Sequence, residues 1–183
     1  MIRKGNTDEA NQFVQRLARL FRLSLENARQ PFVPLKNELE ALVCYLQLQQ
    51  TLFDHQFDYG IEVEGVSDQA TILIPPMLLQ PFTENAILHG FTDQKEKGRI
   101  NICIIKTHNA LHCIIEDNGR GFQGAEINDH HNRPLSTIIN QERLAILSRQ
   151  TKTAAKLTIV DKKAIVGEPG VRVDLILPYQ SEA

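Results

Sequence analysis

Asn85 and His89 stand four positions apart in the run Gln80-Pro81-Phe82-Thr83-Glu84-Asn85-Ala86-Ile87-Leu88-His89-Gly90. On a helix that spacing projects both side chains from one face. An asparagine amide oxygen is a hard donor suited to Mg²⁺, and an imidazole one turn on suits phosphate oxygens. Further along, Asp117-Asn118-Gly119-Arg120-Gly121 sets an acidic residue at the mouth of a glycine turn, directly after an apolar run. A carboxylate feeding a Gly-x-Gly turn suits a purine amino group held against bare backbone. Taken singly, the first pattern describes a solvated helix face and the second a common tight turn. In this order, each after the element it needs, they point to a nucleotide site. Glu84, beside Asn85, is placed either as a general base or as a group that orients Asn85 or a bound water. Arg143 can touch a phosphate or pair with a carboxylate on its helix surface.

The elements that must position these groups follow from periodicity. Residues 8–28 carry Phe13, Leu17, Leu20, Phe21 and Leu25 at helical spacing with arginines beside the stripe, and Asp8 is placed to cap the start. Pro31 and Pro34 interrupt it, and a second helix carries Leu35, Leu39, Leu42, Leu46 and Phe53 on one side. Then the period becomes two: Phe57, Tyr59, Ile61 and Val63 alternate with Asp58, Gly60, Glu62 and Glu64, a half-buried strand. Ile72–Ile74 is a short strand ended by Pro75-Pro76, and a helix is expected from Met77 to Leu88 with Gly90 ending it. Pro81 is tolerable near that helix's first turn. Ile100–Lys106 and Leu111–Glu116 read as a hairpin, residues 124–136 as a polar irregular stretch, and 138–149 as helix. Leu157–Val160 and Val171–Leu177 are the last strands, closed by Pro178. This order predicts an α/β layer, a mixed sheet with helices on one face, preceded by an N-terminal helix. The boundary falls at Pro31–Leu35, and the first helix requires a partner helix from this chain, a second copy, or both.

The chain has 183 residues, 42% hydrophobic and 23% charged, with a net charge of −2, the profile of a globular protein with no electrostatic case for a nucleic-acid partner. No apolar run approaches the roughly 20 residues that span a bilayer, and no signal peptide opens the chain. Cys44, Cys103 and Cys113 form no CxxC pair, which predicts a reduced, cytosolic setting without a zinc site. Cys103 and Cys113 are expected as small buried hydrophobes in neighbouring strands.

The string from Ile74 to Gly90 resembles the asparagine box of LytS-type sensor histidine kinases. Upstream, Leu35-x-x-Glu38-Leu39 with Tyr45-Leu46 and Gln49 resembles that family's "L-x-x-E-L … Y-L-x-I-Q" helix. Asp117-x-Gly119-x-Gly121 matches its first glycine box, and Glu142-Arg143-Leu144 the "E-R-L" after the lid. The resemblance runs from about Asp8 to Pro178 and implies an α/β sandwich of the GHKL ATP-binding type. It implies that Asn85 coordinates Mg²⁺, His89 approaches the ATP phosphates and Asp117 accepts from the adenine amino group, while Gly119 and Gly121 let backbone close around the base. Residues 1–33 would then be the end of a dimerisation region and 34–183 the catalytic domain. The partners implied are a response regulator receiver domain and a second copy in the full-length protein. A membrane would enter only through segments upstream of this cytoplasmic portion.

Three departures qualify the resemblance. The family's second glycine box, "G-x-G-L", aligns with Pro134 and Ser136, where proline lacks an amide hydrogen and serine adds a side chain. Gly170-Val171 stands where the family has Gly-Thr, at the cost of a hydroxyl. The family's phosphoacceptor lies in an "H-F-x-F-N" segment, and none of His55, His89, His108, His112, His130 and His131 has that setting. The chain is therefore expected to be the C-terminal part of a longer kinase, unable to phosphorylate itself. The rival expectations are a degenerate nucleotide-binding module, or a GHKL ATPase or anti-sigma-type serine kinase.

Overall fold

The computed structural model describes residues 4–92, 96–121, 135–151 and 153–181. Helix α1 spans Lys4–Ala28, and α2, Leu35–Leu52, packs along it. No proline separates Lys4 from Asp8, and the helix runs through Gly5 despite its low helix propensity, so it starts earlier than expected and Asp8 lies within it rather than at its cap. The stripe on α2 is core: Leu35, Leu39, Leu42 and Leu46 are all buried. Leu46 is wholly enclosed, and burying such a side chain contributes about 1.5–3 kcal/mol.

The main sheet has five strands, β2 (Phe57–Glu64), β4 (Gly98–Lys106), β5 (Leu111–Asp117), β6 (Lys156–Asp161) and β7 (Val171–Leu177), in the order β2-β4-β5-β7-β6. β2 and β4 are parallel and the other pairings antiparallel, which makes the sheet mixed as predicted. Register aligns Ile102, Ile115, Val173 and Ile159 in one row across the sheet, and Ile104, Cys113, Leu175 and Leu157 in the next. These rows face the helices, because alternate strand residues point to opposite faces. The other face carries a charged group in which Arg172 bonds Asp174 and Glu116, and His112 Nε2 lies 3.0 Å from Asp174 Oδ1. Cys113 is fully buried, but Cys103 pairs with Ile114 on that second face and is only half-buried, since one strand position decides the face.

Three features differ from expectation. Val33–Pro34 (β1), Ile72–Ile74 (β3) and Gln180–Ser181 (β8) form a small antiparallel sheet in the order β1-β3-β8, so the chain pairs again beyond Pro178. α4 spans Leu135–Thr151, absorbing Leu135 and Ser136 that read as irregular; Pro134, His130, His131 and the rest of 122–134 lie outside the described residues. A short helix, α5 (Lys162–Ile165), sits between β6 and β7, capped by Asp161 Oδ1 accepting from Lys163 N at 2.9 Å. Among the described residues no helix is long and apolar enough to cross a membrane.

Candidate nucleotide site

Alternation along β5 sends Leu111, Cys113 and Ile115 to the helix-covered face, and the same period carries Asp117 there at the strand's end. Its carboxylate is buried, 7% exposed. Oδ1 accepts from Gly119 N at 2.8 Å and from Val171 N at 3.2 Å. Oδ2 receives no hydrogen bond among the described residues. Burial pushes the carboxyl above its ordinary range, against the pull of those two N–H groups and of the nearby Lys162 ammonium. Lys162 Nζ donates to the Asp117 carbonyl at 3.3 Å. A buried carboxylate with one satisfied and one open oxygen is set to accept from a ligand N–H.

The glycine turn after Asp117 is held from several sides. Asn118 Oδ1 accepts from Arg99 N at 2.6 Å, and its Nδ2 donates to the Lys97 carbonyl at 3.1 Å. A β-carbon on Gly119 would come within 2.6 Å of Gly90 Cα, and Arg120 N donates to the Gly90 carbonyl at 3.0 Å. Gly119 is thus bare because the end of the asparagine helix packs on its backbone. Gly121 has φ +70°, and a β-carbon there would stand 3.1 Å from the Asp161 carboxylate. Gly170-Val171, read from the sequence as a departure, lies directly against Asp117: the Val171 amide bonds its side chain, and a β-carbon at Gly170 would sit 2.0 Å from its carbonyl oxygen.

The helix bearing Asn85 is shorter than its sequence suggests. α3 begins at Gln80, not Met77, runs to Asn85 and continues as a single π turn over Ala86–Gly90. Met77 has φ +57°, a left-handed conformation that cannot belong to a right-handed helix. Such π turns are uncommon and recur at functional sites. Glu84 and Asn85 are half-buried and His89 is exposed. Phe91, the next residue but one, stacks on Phe57 with ring centroids 5.9 Å apart and anchors this end of the helix.

The structure brings Asp117, Gly119 and Gly90 into contact and places Gly121 beside Asp161. Arg143 is elsewhere: its Nη2 donates to the Pro76 carbonyl at 2.7 Å, at the opposite end of α3 from Gly90. Two groups at the site, Lys162 and Asp161, escaped sequence reasoning as site residues, and so did Glu38 at the start of α3. Glu38, only 2% exposed, accepts from Met77 N at 2.7 Å, Leu78 N at 3.0 Å and Leu79 N at 3.3 Å. Its signal in the sequence was a lone acid on the leucine stripe of α2, where a charge must find partners.

A profile of the histidine kinase family matches residues 1–57. Over 96% of its length the chain is 30% identical to the sensor protein LytS of Oceanobacillus iheyensis, covering 30% of that protein. The chain thus spans less than a third of this relative's length. Among solved structures it is similar to the histidine kinase domain of the Erythrobacter litoralis blue-light activated kinase, with a TM-score of 0.56 and 15% identity over 94% of this chain and 82% of that one. It is also similar to histidine kinase ThkA, solved in complex with the response regulator TrrA, with a TM-score of 0.51 and 13% identity over 97% of this chain and 52% of that one. At these identities the structural likeness establishes the fold, that of GHKL histidine kinase catalytic domains. With this fold, the ordered motifs and the LytS relative, the chain is similar over nearly its whole length to part of the LytS-type sensor histidine kinases.

Proposed function

We propose that this chain is the cytoplasmic, ATP-binding catalytic portion of a two-component sensor kinase. Residues 34–183 form the nucleotide-binding domain and residues 1–33 the end of the dimerisation region. In the full-length protein the γ-phosphoryl group of ATP passes to a histidine upstream of this sequence and then to an aspartate of a response regulator. The observation that carries the reading is Asp117, a buried carboxylate whose Oδ1 is occupied by two backbone amides while Oδ2 has no described donor. An adenine amino group is a donor of the required kind.

In this reading Asn85 offers its amide oxygen to Mg²⁺, and Glu84 orients Asn85 or accepts a proton. His89 reaches the phosphates from the exposed end of the π turn. Gly119 and Gly121 keep the floor of the base pocket free of side chains. Arg143, bonded to Pro76, serves the frame of the site rather than the phosphates. Bound Mg²⁺ supplies charge neutralisation on the phosphates, the dominant contribution in phosphoryl transfer together with positioning.

A homodimer is supported by α1. Its inner face, Phe13, Leu17, Leu20 and Leu23, packs on the core cluster, whereas Val14, Phe21 and Leu25 are more than 60% exposed at helical spacing. A stand-alone ATPase or serine kinase has no use for such a stripe. The second reading, a module that binds nucleotide without turnover, rests on Pro134 and Ser136.

Calorimetric titration with ADP and a non-hydrolysable ATP analogue, with and without Mg²⁺, tests the proposal. Magnesium-dependent binding weakened by Asn85→Ala and by Asp117→Asn is expected. No binding to folded protein at millimolar nucleotide overturns it. Restoring glycine at 134 and 136, then measuring phosphoryl transfer to an acceptor-bearing fragment, separates the two readings.

A further inference from the structure

We propose that Glu38 is the positioning residue of the nucleotide site: from α2 it fixes where α3 begins, and thereby where Glu84 and Asn85 stand. The inference rests on the reading of Asn85 as the ligand to Mg²⁺.

The first N–H groups of a helix have no partner within it and are usually capped by a short polar side chain of the same segment. Here the N-cap residue is Leu79, which makes no side-chain cap bond. What is held instead is the approach to the helix, up to and including the N-cap residue: Glu38 Oε2 takes Met77 N and its Oε1 takes Leu78 N and Leu79 N, across 39 to 41 residues of sequence. One carboxylate thus collects three successive amides and holds Met77 in its left-handed conformation. The same turn is gripped by a second helix, where Arg143 of α4 donates to the Pro76 carbonyl at 2.7 Å. The residues leading into α3 are clamped between α2 and α4.

Stability alone does not call for this arrangement. A buried carboxylate is costly even when paired, and an apolar residue on the α2 stripe with a local cap at residue 79 would serve packing at less cost. What the carboxylate supplies is a fixed start. Asn85 lies six residues beyond Leu79, within the rigid run of α3, so its position is set by where that run begins.

Glu38→Gln keeps one acceptor oxygen and opposes an amide N–H with a donor. Without nucleotide, amide exchange at Met77, Leu78 and Leu79 is expected to quicken at least tenfold, and the Asn85 side-chain amide resonance to move. With nucleotide, the Mg²⁺-dependent gain in affinity for a non-hydrolysable ATP analogue is expected to fall at least tenfold, while ADP affinity without Mg²⁺ stays within twofold. A purely structural role would lower both affinities together or neither, and that result overturns the proposal. Arg143→Met, at a half-buried position, gives the same selective pattern at smaller size if Glu38→Gln fails to fold; an unmoved Asn85 resonance in that variant also overturns it. Wild-type protein that binds no nucleotide refutes the proposed function, while the nucleotide-free exchange and resonance data still decide whether Glu38 sets Asn85.

Discussion

Gly119 lies so close to Gly90 that a β-carbon on Gly119 would stand 2.6 Å from the Gly90 Cα, well inside van der Waals contact. Gly90 ends the asparagine motif and Gly119 stands in the middle of the Asp117 turn, and their backbones touch. Contact between them places the asparagine helix and the Asp117 turn in one fixed relation.

Gly119→Ala is therefore expected to part the two segments. Overpacking of this kind costs about 1–3 kcal/mol. Chemical denaturation should register that loss, and calorimetry should show weaker ADP binding, because the turn and the helix separate together.

Asp117→Asn should trade affinity for stability. The carboxyl is raised from its ordinary 3.8 by burial, so the folded state holds its proton more tightly than the unfolded state. Stability from this group therefore falls as pH rises from the unfolded value through the higher folded one. Asparagine keeps the Oδ1 acceptor for Gly119 and Val171 and carries no such proton. In urea melts across a pH series without nucleotide, the variant should gain on wild type as pH rises through that window and hold the gain at neutrality. Its nucleotide affinity should drop about 10-fold or more, the scale of a lost hydrogen bond to a charged group.

Asn85→Ala should remove most of the magnesium-dependent component of triphosphate binding, about 10-fold or more by analogy with lost metal-site contacts. Binding of ADP without Mg²⁺ should remain, since that rests on Asp117. Parallel titrations with and without the metal distinguish the two components.

Phe21→Glu with Leu25→Glu should abolish self-association measured by sedimentation, leaving nucleotide binding intact. Both side chains point outward on α1, 61% and 63% exposed. Charges there meet only water in the single chain.

Acidification should leave Glu38 neutral before most carboxylates, since burial raises it from its ordinary 4.5 against the three amides and Arg143. Protonation removes the charge that three N–H groups share. Amide exchange at Met77–Leu79, corrected for intrinsic pH dependence, should therefore quicken on acidification in wild type and change little in Glu38→Gln.

The local sequence determined the periodic elements. Leucines at 35, 39, 42 and 46 lie on the buried face of α2, and alternation from Phe57 to Glu64 became a half-buried strand. The same alternation from Leu111 onward carried Asp117 inward, so the key carboxylate was legible from a period of two. Helix and strand periods act over neighbouring residues, and sequence displays neighbours directly. Only the tertiary structure decided where α3 starts, because the carboxylate that ends the left-handed turn at Met77 lies on another helix. It also decided the short strands β1 and β8, too brief to carry a period, and the target of Arg143. Each of these depends on a hydrogen bond between groups far apart in the chain, which forms only after the leucine and isoleucine core has brought the helices onto the sheet.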